Sequence, residues 1–343
     1  MIRLGVDAWN LPGDRRGIGR YLREILRVWW ERDRQRVDVT LLVPEWHTWT
    51  VRERYVREVE NRPYPVVSRK FHARAGLDAL WFPFNGCSWT TFTLPATATL
   101  HDASNFVVPD YAPATQSIFR AAARECRALV TDSRFAQAEL SRELAIPPDR
   151  LIPIPLGVNP PRPPDAAALD VAAMGEFVLY VGDAEWRKGF DVLLAAMERA
   201  ARERPAIGLV VTTRLSGWTV PPGVRVAELG FVDDDTLAAL YRGCAALAFP
   251  SRYEGFGLPV LEAMSYGAPV IAAKASSVPE AAGDAACYVP VGDADALADA
   301  ILRVASDEAY AAELRRRGPS HAAQFTWERT AEETLRVIET TVT

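Results

Sequence analysis

Apolar residues recur along this chain in two alternating patterns. Short runs that are apolar almost throughout read as strands buried on both faces. Longer stretches with apolar positions three and four apart read as helices. Ile2–Ala8, Val37–Pro44, Pro65–Ser68, Ala79–Phe82, Ala96–Leu100, Ala128–Thr131 and Leu151–Ile154 are runs of the first kind. Arg20–Trp30 is of the second kind, with Tyr21, Leu22, Ile25, Leu26 and Trp29 at helical spacing, and Ala114–Cys126 and Arg134–Leu144 follow it. Asp132-Ser133 supplies the last of these with a cap. Asn10–Gly19 reads as a glycine-bearing loop and Thr50–Glu60 as a charged surface helix.

From Pro155 to Pro164 five residues in ten are proline. Neither a helix nor a central strand tolerates that density, so the stretch predicts a connection between domains. The alternation resumes with strands at Phe177–Gly182, Ile207–Thr212, Val224–Leu229, Ala245–Pro250, Pro269–Ala273 and Ala286–Pro290. Helices are expected at Gly189–Ala201, Thr236–Arg242 and Leu258–Tyr266, and from Ala294 and Glu308 onward. A last one is expected over Trp327–Thr341, where Ala331, Leu335 and Ile338 keep helical spacing. Strands and helices in strict alternation predict the α/β class, as two doubly wound, Rossmann-like parallel-sheet domains.

Composition narrows the picture only at a few points. The length, 343 residues, suits two domains, and 49% apolar with 24% charged residues is ordinary for a globular chain. No apolar run is long enough to span a membrane. The chain starts directly on a strand without a signal-peptide pattern, and its four cysteines, Cys87, Cys126, Cys244 and Cys287, show no metal-ligand spacing. Free thiols in a cytoplasmic setting are the expectation. Charge is uneven: residues 1–155 hold 22 Lys and Arg against 18 Asp and Glu, and residues 156–343 hold 17 against 26. The basic half suits either a solvated arginine-rich surface or an anionic acceptor or membrane surface. No nucleic-acid motif occurs.

The candidate chemistry centres on Ser251–Glu262, which runs from the end of a strand through Glu254-Gly255-Phe256-Gly257-Leu258 into a helix with Pro259 near its first position. Glu254 then sits at the carboxyl end of a strand. The two glycines let backbone approach a ligand, and the helix start offers N–H groups and the positive end of its dipole. Glu262 lies about one turn inside that helix. Carboxylates around open N–H groups suit a ligand with many hydroxyls and an anionic part, as a nucleotide sugar has. A strand–glycine loop–helix with solvated glutamates is the plainer reading. A second stretch has the same layout: strand Phe177–Gly182, then a loop with Arg187 and Lys188, then a helix. Two fixed cations suit a diphosphate, though adjacent cations in a loop are commonly plain surface charge.

Both stretches resemble the retaining glycosyltransferases of family 4. The resemblance rests on Glu254 and Glu262 with Gly-Phe-Gly-Leu-Pro between them, on Gly182 followed by Arg187-Lys188-Gly189, and on Ser133, Pro155–Asn159, Leu229–Val232 and Gly267–Ile271. It covers most of the chain. It implies the GT-B fold, with residues 1–156 as an acceptor-binding domain, 157–325 as the nucleotide-sugar-binding domain, and 326–343 as a helix crossing back to the first. It further implies that Glu262 binds the ribose, that Glu254 holds donor-sugar hydroxyls with the backbone of Gly255, Phe256, Gly257 and Leu258, and that Arg187 and Lys188 neutralise the diphosphate near Gly182. Val232 would border the base, and Gly17 and Gly19 would approach the phosphate or acceptor side.

Thr99-Leu-His101-Asp102 and Gly17-Ile-Gly19-Arg-Tyr resemble a mannosyltransferase-like branch of that family. The resemblance places His101 near the anomeric centre and Asp102 on acceptor or sugar; the plainer alternative has His101 bonding a backbone carbonyl and Asp102 capping a turn. Trp9, Trp29, Trp30, Trp46, Trp49, Trp81 and Trp89 concentrate aromatics in the first half, with Trp29 and Trp30 expected in the core. Trp89, in the loop-like stretch from Phe84, could stack an acceptor sugar or pack. The first domain is shorter than in long members of the family, and Arg16-Gly17 replaces a glycine pair.

The expectation is therefore a retaining, metal-independent hexosyltransferase with no cofactor. Asp233–Asp235 and Asp293–Asp295 read as helix caps, not as metal ligands. The donor expected is GDP-mannose and the acceptor a glycan, lipid-linked or small molecule, with peripheral membrane contact as an accompanying hypothesis. A UDP-hexose-dependent glucosyltransferase, or a catalytically silent nucleotide-sugar or glycan-binding subunit, is the alternative.

Overall fold

The structure is a computed structural model and describes all residues except 12–16, 46–61, 63, 110–114, 164–170 and 343. The charged helix expected at 50–60, and Arg16, Trp46 and Trp49, lie outside the described residues. The chain forms two compact units, Met1–Gly157 together with Thr326–Thr343, and Val158–Phe325.

The first unit holds seven strands: β1 (Ile2–Asp7), β2 (Val37–Val43), β3 (Val66–Ser68), β4 (Ala79–Phe82), β5 (Ala96–Thr99), β6 (Ala128–Thr131) and β7 (Leu151–Pro153). They lie in the order β3-β2-β1-β4-β5-β6-β7. Every pair is parallel, with Ile2 opposite Val37 and Leu4 opposite Ala79. From β1 the chain winds one way to β2 and β3, then crosses to β4 on the other side. The switch point is thus the gap between β1 and β4, where ligands of open α/β sheets bind beyond the strand ends.

The helix Gly17–Arg32 buries Tyr21, Leu22, Ile25, Leu26, Val28 and Trp29. It begins at Gly17, three residues before the expected start, so Gly17 and Gly19 are in its first turn and not in a loop. The helical spacing of Tyr21, Leu22 and Ile25 decides the matter; two glycines weaken a helix without forbidding it. The helix Trp327–Val342 packs in the same unit with Trp327, Ala331, Leu335 and Ile338 buried. The Trp29 indole donates to the Ala331 carbonyl at 3.1 Å, and Arg36 joins Glu332 and Glu339 on the final helix at 2.5 and 2.9 Å. Where the chain leaves this unit, a β-carbon on Gly157 would lie 2.2 Å from the Trp327 backbone nitrogen. Only glycine permits that approach.

The second unit holds β8 (Phe177–Tyr180), β9 (Gly208–Val211), β10 (Val226–Glu228), β11 (Ala246–Phe249), β12 (Val270–Ala273) and β13 (Cys287–Val289). Their order is β10-β9-β8-β11-β12-β13, again all parallel. Its switch point is between β8 and β11. The loops that follow those two strands are the stretches that carry Arg187-Lys188 and Glu254. Asp233 and Asp293 accept hydrogen bonds from the backbone N–H of Thr236 and Ala296, so both cap helices.

Candidate functional site

In the second unit, Gly182 follows β8 at φ +133°. The loop then turns through Trp186, Arg187 and Lys188 to Gly189, which starts the helix Phe190–Glu203. Gly189 has φ +69°, and a β-carbon there would stand 2.1 Å from the Pro250 carbonyl oxygen. The two loops therefore press together at the switch point, and glycine serves both conformation and space.

That contact brings Lys188 onto Glu254, 66 residues away. The Lys188 ammonium donates to both Glu254 oxygens, at 2.7 and 2.9 Å. Arg187 donates to the Tyr253 carbonyl at 3.0 Å and has a guanidinium nitrogen 3.8 Å from Glu254. Glu254 is buried, and its backbone is fixed by Ser276, which accepts from its N–H, and Ser277, which donates to its carbonyl. The glutamate and the two cations are thus one cluster, which the sequence offered only as two separate stretches.

Arg252 was not singled out by the sequence. It donates to Asp191 at 2.6 and 2.7 Å, to the Trp186 carbonyl at 2.6 Å, and lies over the Trp186 ring. Its charge is spent inside the loop pair. Asp191 looked like any acid in a first helical turn, and its partner 61 residues away left no local signal. Trp186 itself is 55% exposed, held with one face on Arg252.

Beyond Glu254 the chain passes Gly255 and Phe256 to Gly257, at φ +112°, and then the helix Leu258–Ser265. No side chain caps that helix start, so its end retains the character of an anion site. Glu262 is half-buried one turn further on and receives the Tyr241 hydroxyl at 3.2 Å. Val232 lies in the loop after β10, next to Phe231, which is 61% exposed.

In the first unit, His101 follows β5 and is buried. Its Nε2 lies 3.0 Å from the Pro83 carbonyl and its Nδ1 2.9 Å from Asp132. A carbonyl only accepts, so Nε2 carries a proton, and a second proton sits between Nδ1 and the carboxylate. Burial works against the charged ring, but the charge and hydrogen bond of Asp132 outweigh it and hold the imidazole above its ordinary range. Both ring nitrogens are thus engaged within this unit. Asp102 accepts from the Ser104 N–H at 2.8 Å, at the start of the short helix Ser104–Val107. Of the Asp132-Ser133 pair, only Ser133 caps the following helix, through the Ala136 N–H; Asp132 serves His101. The Trp89 ring packs against Phe82, Phe92 and His72 with centroids 5.5, 5.5 and 4.8 Å away, the first two edge to face.

Residues 162–321 match the family described as glycosyl transferases, group 1. The O-antigen chain mannosyltransferase B of Escherichia coli is 32% identical over 263 residues, covering 70% of this chain and 69% of that protein. The D-inositol 3-phosphate glycosyltransferase of Segniliparus rotundus is 34% identical over 225 residues, 60% of this chain and 50% of that relative. The structure of sucrose-phosphate synthase from Thermosynechococcus elongatus superimposes over 99% of both chains with a TM-score of 0.72 and 19% identity, which shows a shared GT-B fold. With these relatives and its two Rossmann-like sheets, the chain is a glycosyltransferase and belongs to the group 1 glycosyl transferases.

Proposed function

We propose that this enzyme transfers a hexose, with retention, from a nucleoside diphosphate sugar bound at the switch point of the second unit to a hydroxyl acceptor bound by the first. The observation that carries the reading is the cluster of Lys188, Arg187 and Glu254 beside an uncapped helix start. Glu262 is assigned to the ribose, and the loop at Val232, with exposed Phe231, to the base. Arg187 and Lys188 are assigned to the diphosphate. Glu254 holds Lys188 in place in the free protein; its remaining acceptor capacity, with the backbone of Gly255 to Leu258, serves the sugar hydroxyls.

As the nucleoside diphosphate departs, negative charge grows on its β-phosphate. Cations already fixed in place stabilise that charge without reorganising. Supplied by Arg187 and Lys188, this neutralisation needs no metal, and Asp233 and Asp293 are spent as caps. Gly17 and Gly19 are assigned to the acceptor side of the first unit. For His101 we propose a positioning role, because both ring nitrogens are bonded to Asp132 and Pro83. Asp102 holds the turn that follows.

Mannose from GDP-mannose is the donor we favour, because the Escherichia coli relative is a mannosyltransferase. A thermal-shift screen of GDP, UDP and their sugars, with and without chelator, tests this. Stabilisation by GDP compounds, indifferent to chelator and lost in Glu262→Ala, is expected. Preference for UDP compounds would move the reading to a UDP-hexose enzyme. Donor hydrolysis no faster than in Glu254→Ala would leave a silent binding subunit. No helix among the described residues is long and apolar enough to cross a membrane. Peripheral contact with the inner face of a membrane is proposed for a cytoplasmic enzyme with a basic first half; equal binding to anionic and neutral vesicles would refute it.

A further inference from the structure

Buried polar atoms without a hydrogen-bond partner are uncommon in folded proteins, and each needs an explanation. Among the described residues two of them, Asp7 Oδ1 and Trp89 Nε1, lie together at the carboxyl edge of the first sheet, beside its switch point, and Trp9 Nε1, two residues beyond Asp7, is a third such atom. Asp7 is the last residue of β1 and is 2% exposed. Its other oxygen, Oδ2, accepts from Ser88 Oγ at 2.6 Å, and Ser88 accepts from Arg69 at 3.4 Å. The Trp89 indole and the Trp9 backbone N–H are near enough to favour the charged carboxylate, yet neither completes a hydrogen bond to Oδ1.

An idle carboxylate oxygen and an idle indole N–H side by side suit a hydroxyl, whether of a ligand or of water. A hydroxyl donates to the first and accepts from the second; an ammonium cannot accept and a phosphate dianion cannot donate. Ser88, Trp89, Arg69 and His72 are only half-buried, so the cluster reaches solvent at its rim. A buried acid with unused acceptors lowers stability, which makes sense where a ligand completes it. Its place in the first sheet matches that of Arg187-Lys188 and Glu254 in the second: beyond the two strands that flank the switch point.

We propose that Asp7, Ser88 and Trp89 form the subsite that grips one hydroxyl of a neutral polyhydroxylated acceptor, a sugar ring or cyclitol, with Trp9 and Arg69 at its rim. That the guest is an acceptor rests on the transferase reading above; that the cluster binds a hydroxyl does not. Trp89 contributes its N–H edge, the atom left without a partner.

Methyl α-D-mannopyranoside, methyl α-D-glucopyranoside and myo-inositol serve as probes. Their binding to the full chain is followed by saturation-transfer NMR in the wild type, Asp7→Asn and Trp89→Phe, together with acceptor KM wherever a donor is turned over. At least one probe should bind the wild type. Each variant should weaken it about tenfold, the size of one hydrogen bond, with an equal rise in acceptor KM. Both variants should keep the rise in melting temperature caused by nucleotide, which belongs to the second unit. Trp89→Phe keeps an aromatic ring in place while removing the N–H, so it decides the matter should Asp7→Asn not fold. Unchanged probe binding in Trp89→Phe means that water alone satisfies the cluster, and overturns the proposal, as does a wild type that binds none of the three. A wild type that turns over no nucleotide sugar but binds a probe through Asp7 and Trp89 would sink the donor reading and leave the subsite standing.

Discussion

Burial raises the Asp7 carboxyl from 3.8 to about 7, against the pull of Ser88 and Arg69. The folded protein therefore holds this proton more tightly than the unfolded chain does. Stability linked to Asp7 is complete below about pH 4 and is lost as the pH climbs to about 7, by an amount on the order of 4 kcal/mol. Asp7→Asn should flatten this limb of the melting profile and melt higher than the wild type at about pH 8. A wild-type melting temperature that stays level across that window would contradict it. His101 acts with the same sign: its raised value adds stability that is full below about pH 6.5 and lost as the pH rises through the folded value. If His101 positions the active edge, His101→Gln should remove that alkaline loss and lower kcat while leaving donor KM within about threefold; a changed donor KM alone would argue for direct contact. Lys188→Met leaves Glu254 buried without its main partner and should cost about 3 kcal/mol. Adding Glu254→Gln should restore the melting temperature without restoring nucleotide binding. Recovery of both would reduce the pair to a structural salt bridge.

At the scale of elements, the strands were readable because a parallel sheet covered on both faces demands continuous apolar runs, as at Ala79–Phe82 and Ala246–Phe249. Helix positions followed from spacing, and starts from caps. Ser133→Ala should cost about 1 kcal/mol in the first unit, read as a lower unfolding midpoint, because it frees the Ala136 N–H. The start at Gly17 was misread, since glycines signal loops locally while the buried face of Tyr21 and Ile25 is set by tertiary packing. The short helix Val278–Ala282 escaped for a related reason: it is too short to display a period. Within the site, Glu254, Glu262, Arg187 and Lys188 stood out as local motifs. Arg252 with Asp191, His101 with Asp132, and Asp7 with Ser88 did not, because each pair joins residues 31 to 81 apart in sequence.

At the scale of the molecule, the same plan is used twice: a parallel sheet with one reversal of winding, and chemistry-bearing loops beyond the strands that flank it. The second unit is a single continuous segment. The first is assembled from two segments, and its core includes Trp327, Ala331, Leu335 and Ile338 from the helix that follows the second unit. Trp327→Ala should cost about 3–5 kcal/mol, and should lower the first of two unfolding transitions if the units melt separately. During synthesis, therefore, the segment that appears first must wait. Residues 1–157 emerge without the helix that covers Trp29 and Tyr21, while residues 158–325 emerge with everything their own core requires. The earlier half therefore completes its core last, and spends that interval with an apolar face that a chaperone, or a neighbouring nascent chain, can reach.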